Sequence, residues 1–155
     1  MRAWARVGVI LIAPLTAETP AEAVARVLDD WHDAAARADE ARYFGHMTED
    51  AVFLGTDATE RWVKPAFQKW AHPFFARGRA WAFKATGRRI AFSPDGTVAW
   101  FDEDLATPNL GPCRGSGVLV RREGRWVIAQ YNLSVPIPNA LMDTVKRQID
   151  KHLHP

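Results

Sequence analysis

Asp102 stands in the middle of an alternating run, Trp100-Phe101-Asp102-Glu103-Asp104. A carboxylate carried by a strand into an enclosed space is the kind of group that removes a proton next to a carbonyl. Burial raises its pKa toward a useful range, while a neighbouring cation such as Arg89 lowers it. Gln130, Asn132 and Ser134 recur at every second position of "WVIAQYNLSVPIPN" (126–139), so they share one strand face. Gln130 and Asn132 are suited to orienting a ligand carbonyl or hydroxyl, or to satisfying their own strand neighbours. Asp57 in "GTDATERW" either caps the helix that follows or faces a pocket mouth, and His46, beside Tyr43 and Phe44, is an acid–base group or a neutral histidine bonded to backbone. Trp62, Trp70, Phe74 and Trp100 offer ring faces, with Trp62 the first choice for stacking on a ligand.

Other chemistries lack their residues. Cys113 is the single cysteine, so there is neither an intramolecular disulfide framework nor a cysteine metal cluster. His32 reads as a surface residue on the first helix, His72 as structural, and His152 and His154 as a tail without metal-ligand spacing. No phosphate-binding glycine loop, nucleophile elbow or dinucleotide fingerprint occurs, so no metal or cofactor is expected. Twenty basic and eighteen acidic residues are mixed along the chain, which leaves no nucleic-acid footprint.

The elements that must position these groups follow from capping, periodicity and turns. Arg2 and Arg6 precede the apolar run Val7 to Leu15, the layout of a secretory signal over residues 1–17. The run is too short to anchor the chain in a membrane. The expectation is therefore an exported protein, periplasmic or secreted, with one domain over 18–155; the alternative is a cytoplasmic protein with a frayed N-terminus. Thr19-Pro20-Ala21-Glu22 reads as a capping box opening a helix to about Arg42, and "AVFLG" (51–55) as a brief strand. Residues 59–77 read as two short helices broken by Pro65 and Pro73, turning Trp62, Phe67, Trp70, Phe74 and Phe75 inward. From Ala80 the period becomes two, giving strands at 80–92, 97–106, 114–122 and 125–135, and a last helix begins near Asn139. Ser93-Pro94-Asp95-Gly96 and Glu123-Gly124 supply hairpin turns. The fold class is α+β, with helices packed on one face of a curled antiparallel sheet.

Pairing Phe92 with Thr97 and Arg122 with Arg125 divides the strands into two faces. One gathers Ala85, Gly87, Gly115 and Gly117 with Trp100, Asp102, Asp104, Gln130 and Asn132. Small residues at strand centres leave volume above a sheet, so this face is expected to line the pocket. Lys84, Arg88, Glu103 and Arg114 then face solvent or a second subunit.

"DAVFLGTDATERW" (50–62) and the "EGRW" turn leading into the polar final strand resemble the SnoaL-like, ketosteroid-isomerase-like branch of the nuclear transport factor 2-like superfamily, over about residues 20–150. The resemblance implies a cone-shaped half-barrel with a deep pocket, commonly a homodimer through the outer sheet face. It implies either a binding domain for a small hydrophobic, oxygen-bearing molecule or a cofactor-free isomerase, cyclase or dehydratase. In the second case Asp102 is the general base, and Gln130 or Asn132 holds the oxyanion. A non-catalytic assembly domain is the third reading.

Overall fold

The computed structural model describes residues 17–154, so all of the expected export signal except Ala17 lies outside the described residues. Helix α1 (Pro20–Ala36) starts as the capping box requires: the Thr19 hydroxyl accepts the Glu22 N–H, and the Glu22 carboxylate accepts the Thr19 N–H at 2.8 Å. It ends earlier than its apolar spacing suggests. Ala38 takes φ +53°, turning the chain into a second short helix, α2 (Glu40–Gly45), whose N-cap is Asp39.

Six strands follow: β1 (Met47–Leu54), β2 (Arg61–Val63), β3 (Lys84–Phe92), β4 (Val98–Ala106), β5 (Cys113–Arg122) and β6 (Arg125–Ser134). Their order across one curled, open sheet is β2-β1-β6-β5-β4-β3. All neighbours are antiparallel except β1 and β6, which run parallel. The β5–β6 turn uses Glu123 at φ +50° and Gly124 at φ +79°, the left-handed pair of a tight two-residue hairpin. Residues 59–77 hold one helix rather than two, α3 (Lys64–Ala76), preceded by β2. Pro65 lies in its first turn, where no N–H is needed, and Pro73 is tolerated inside it. After β6 come a single 3-10 turn (Asn139–Leu141) and helix α4 (Met142–Leu153), with no residue of α4 buried. No described helix is long and apolar enough to cross a membrane.

Two rows across the sheet fix which face is inside. Trp62, Phe53, Tyr131, Gly117, Phe101 and Ile90 are successive partners in one row. The adjacent row runs Arg61, Leu54, Asn132, Ser116, Asp102 and Arg89. The first is concave and covered: α1 packs over it with Val24, Leu28 and Trp31 buried, and α3 adds the fully buried Phe67. The second is convex and open, with the side chains of Asp102 46% and Arg89 68% exposed. Asp102, Arg89 and Asn132 do share a face, as the alternation requires, but it is the outer one.

A β-bulge at Ala129 explains why the polar residues of the final strand turn outward. Leu119 pairs with Ile128 and Val118 with Gln130, leaving Ala129 unpaired. Trp126 and Ile128 are therefore buried at even positions, and Tyr131 and Leu133 at odd ones. Without the bulge, Gly115 and Gly117 would oppose Asn132 and Gln130, as expected; with it, they oppose Leu133 and Tyr131. The β3–β4 pairing is also two residues further along than expected, with Phe92 opposite Ala99.

Candidate functional site

At the β1–β2–α3 end of the cone, the concave face is not filled to the rim. A chamber of about 190 Å³ opens there. Phe53 on β1, Trp62 on β2, Phe67 and Trp70 on α3, and Trp81 and Phe83 before β3 form its walls, with Leu133 of β6 beneath. The walls stack on one another. Trp62 lies 4.7 Å from Trp70 at 26° and 5.7 Å from Phe67 at 17°, while Phe53 lies 4.2 Å from Phe67 at 17°. Cross-strand pairing of Phe53 with Trp62 and the helical spacing of Phe67 and Trp70 build this set, and Trp70 remains 41% exposed. Gly55, Thr56 and Glu60 form the rim. A side chain at Gly55 would overlap the Glu60 carboxylate, which folds over that position and accepts the Asp57 N–H at 3.2 Å.

One ring layer behind the chamber lies a polar group that the sequence reading placed elsewhere. Glu103 of β4 is fully buried. Its Oε1 accepts His32 Nε2–H at 2.7 Å and the Tyr131 hydroxyl at 3.2 Å, while its Oε2 accepts Arg88 Nε–H at 2.8 Å. Arg88 also donates to the Ala25 carbonyl of α1 at 3.1 Å and lies 2.9 Å from Asp29. Burial pushes the Glu103 carboxyl up, but the His32 hydrogen bond and the charges of His32 and Arg88 outweigh it, so its pKa lies below the ordinary range. Burial, reinforced by the Glu103 charge, lifts the Tyr131 phenol well above its usual pKa. Gly115 gives this group its room, since a Cβ there would overlap the Tyr131 hydroxyl and stand 2.9 Å from Glu103 Oε1. Tyr131 joins the two layers: its ring stacks on Phe53 at 5.7 Å and meets Trp31 edge-on at 4.6 Å.

The expected site residues divide among three places. Trp62 and Trp70 line the chamber, and Phe74 packs on Trp70 at 5.1 Å beside it. Asp57 lies next to the rim. Its carboxylate accepts the Thr59 N–H at 2.8 Å and the Thr59 hydroxyl at 2.6 Å, which holds it below its ordinary pKa, so it caps a turn rather than a helix. Asp102, Arg89, Trp100, Gln130 and Asn132 lie on the convex face, away from the chamber. Asp102 pairs with Arg89 at 2.8 Å, and Trp100 is 49% exposed. The assignment of that face to the pocket is thus overturned by the bulge and by the covering helices.

His46 is at the far end of the molecule, where it caps α2 and bonds Asp30 at 2.6 Å. It borders a wider groove of about 860 Å³ between the start of α1 and the two hairpin turns. His32 and Glu103, expected at the surface, are buried at 6% and 0% exposure. The signal for them in the sequence was their chemistry: a histidine on α1 and a glutamate in an alternating strand each need a partner if buried. Nothing local pairs residues 71 apart. Among the described residues, no three His, Cys, Asp or Glu side chains converge as metal ligands would.

A family model described as a SnoaL-like domain matches residues 24–138. Solved structures share the fold at low identity. An NTF2-like protein of unknown function from Pseudomonas putida KT2440 superposes with a TM-score of 0.63 at 13% identity, over 79% of this chain and 92% of that one. A proposed scytalone dehydratase from Novosphingobium aromaticivorans gives 0.63 at 13% identity, covering 76% and 84%. A proposed ketosteroid isomerase from Parabacteroides distasonis gives 0.59 at 12%, covering 74% and 86%. A search of curated protein sequences finds no match.

Proposed function

The chain belongs to the SnoaL-like domain family, and from that premise we propose that it is a small-molecule-binding domain whose ligand occupies the aromatic chamber. The observation that carries this reading is the chamber itself: concave, walled by ring faces, with its few polar groups confined to the rim. At about 190 Å³ it suits a small hydrophobic molecule of one or two rings. Oxygen atoms on the ligand would meet the Thr56 hydroxyl at the rim.

The enzymatic alternative draws support from the buried His32–Glu103–Tyr131 group behind the chamber. Two features weigh against it. Glu103 already accepts hydrogen bonds on both oxygens and is held below its usual pKa, which makes it a weak base at neutral pH. Asp102 lies on the open face beside Arg89. The homodimer implied by the family remains part of the proposal, through the convex face that carries Trp100.

Titration with 1-naphthol, followed by intrinsic tryptophan fluorescence, tests the binding reading. Saturable quenching is expected. Trp62→Ala should weaken it by roughly tenfold through lost stacking and burial, while Trp100→Ala and Asp102→Asn leave the affinity unchanged. Absence of saturation, or equal losses for Trp62 and Trp100, would sink the chamber as the site.

A further inference from the structure

The chamber has an unusual electrostatic lining. Of the side chains that wall and rim it, one is ionisable, and it is an acid, Glu60. No lysine, arginine or histidine is among the lining residues. Among the described residues, Glu60 has no cationic partner within salt-bridge distance; the hydrogen bond it receives comes from the neutral Asp57 amide. The Asp57 carboxylate beside it, held below its ordinary pKa by the Thr59 hydroxyl and amide, makes the rim more negative. The ring faces act in the same direction, because an aromatic face presents the negative side of its quadrupole to whatever lies against it.

From this juxtaposition we infer that the chamber selects an organic cation: a flat one- or two-ring molecule carrying a quaternary or protonated nitrogen, its rings against the Trp62 and Trp81 walls and its charge toward Glu60. The inference rests on the chamber being the ligand site and adds the ligand's charge and shape. Shape follows from the ring planes, since those of Trp62 and Trp81 lie 17° and 21° from that of the buried Phe67. Near-parallel rings accept a flat body along them. Charge follows from sign: an anion would be repelled by Glu60 and by the ring faces, a neutral ligand would gain from neither, and a cation is attracted by both. Gly55 contributes by leaving the space into which the carboxylate folds.

N-methylquinolinium and 1-methylnaphthalene have nearly the same shape and differ in charge, so the pair isolates the inference. The wild-type protein should bind the cation at least about tenfold more tightly than the hydrocarbon. Glu60→Gln should reduce that preference to less than about threefold without moving the hydrocarbon's affinity, and Glu60→Lys, at a half-exposed rim position, should reverse it. Equal affinities, or tighter binding of the hydrocarbon, overturn the cation inference and leave the chamber as the ligand site. A preference that survives both substitutions overturns the role of Glu60. If neither probe binds, the chamber reading falls, and this inference falls with it.

Discussion

Replacing Glu103 by glutamine keeps the outline of the side chain and removes its charge, at a position where both carboxylate oxygens accept hydrogen bonds. His32 and Tyr131 donate to one oxygen, and Arg88 to the other. An amide offers one acceptor and one donor, so either Arg88 or the His32–Tyr131 pair must face an N–H group. The site is fully buried, and water cannot repair the mismatch. Hydrogen bonds to a charged group contribute about 1.5–3 kcal/mol each, and breaking a buried ion pair by removing one member costs about 3–5 kcal/mol. A loss near 3 kcal/mol is expected, allowing for the bonds the amide retains. At about 2–4 °C per kcal/mol for a domain of this size, Tm should fall by roughly 6–12 °C.

The same variant carries a pH signature. The folded carboxyl has a pKa below its unfolded value of 4.5, so its stabilisation is fully present above that value and is lost as pH falls through the folded pKa. Urea denaturation at pH 7 should therefore show the full deficit with an unchanged m-value, and the two proteins should converge in acid as the wild-type carboxyl protonates. Other carboxylates also titrate there, but they are common to both proteins and cancel in the difference. A deficit below about 1 kcal/mol at pH 7, or one that persists unchanged into acid, would refute the account of Glu103 as the tie between α1 and the sheet.

Two further outcomes test the local packing. Gly115→Ala should destabilise by about 1–3 kcal/mol, because the new methyl group overlaps the Tyr131 hydroxyl and crowds Glu103. Gly45→Ala, which meets nothing within 4 Å, is the control and should stay within about 0.5 kcal/mol; equal urea midpoints for the two variants would contradict the packing argument. Thr19→Ala removes the hydroxyl that caps α1 and should cost about 1 kcal/mol, read as a loss of thermal stability that Thr19→Ser restores.

Local signals in the chain predicted what local interactions determine. The capping box at Thr19 and Glu22 starts α1 where it should, and the Glu123-Gly124 turn sets Arg122 opposite Arg125. Alternation correctly grouped Arg89 with Asp102 and Asp104, since a side-chain period of two needs no knowledge of the partner strand. What alternation does not supply is the identity of the covered side. That is decided by where α1 and α3 pack, a tertiary fact, and by one unpaired residue at position 129. His32 illustrates the same limit. Its burial depends on a glutamate 71 residues away, and neither residue signals the other. The break after Ala36 was also hidden, because an alanine at positive φ, Ala38, leaves no compositional trace. The ring set was legible in part: Trp62 and Trp70 were recognised, while Phe53, Trp81 and Phe83 came from segments read as plain strand.

The bulge at Ala129 means that the character of this interior depends on a count as well as on a composition. Were Ala129 paired in the ladder instead of looped out, with every letter kept, the downstream half of β6 would change sides: Gln130 and Asn132 would turn toward Gly117 and Gly115, Tyr131 and Leu133 toward the open. Deleting Ala129 itself would straighten the strand and leave Tyr131 opposite Gly117 and Leu133 opposite Gly115, so the same face would stay buried. For a scaffold of this shape, whether an extra residue in the strand that floors the cavity is looped out or paired decides between an oily interior and a polar one.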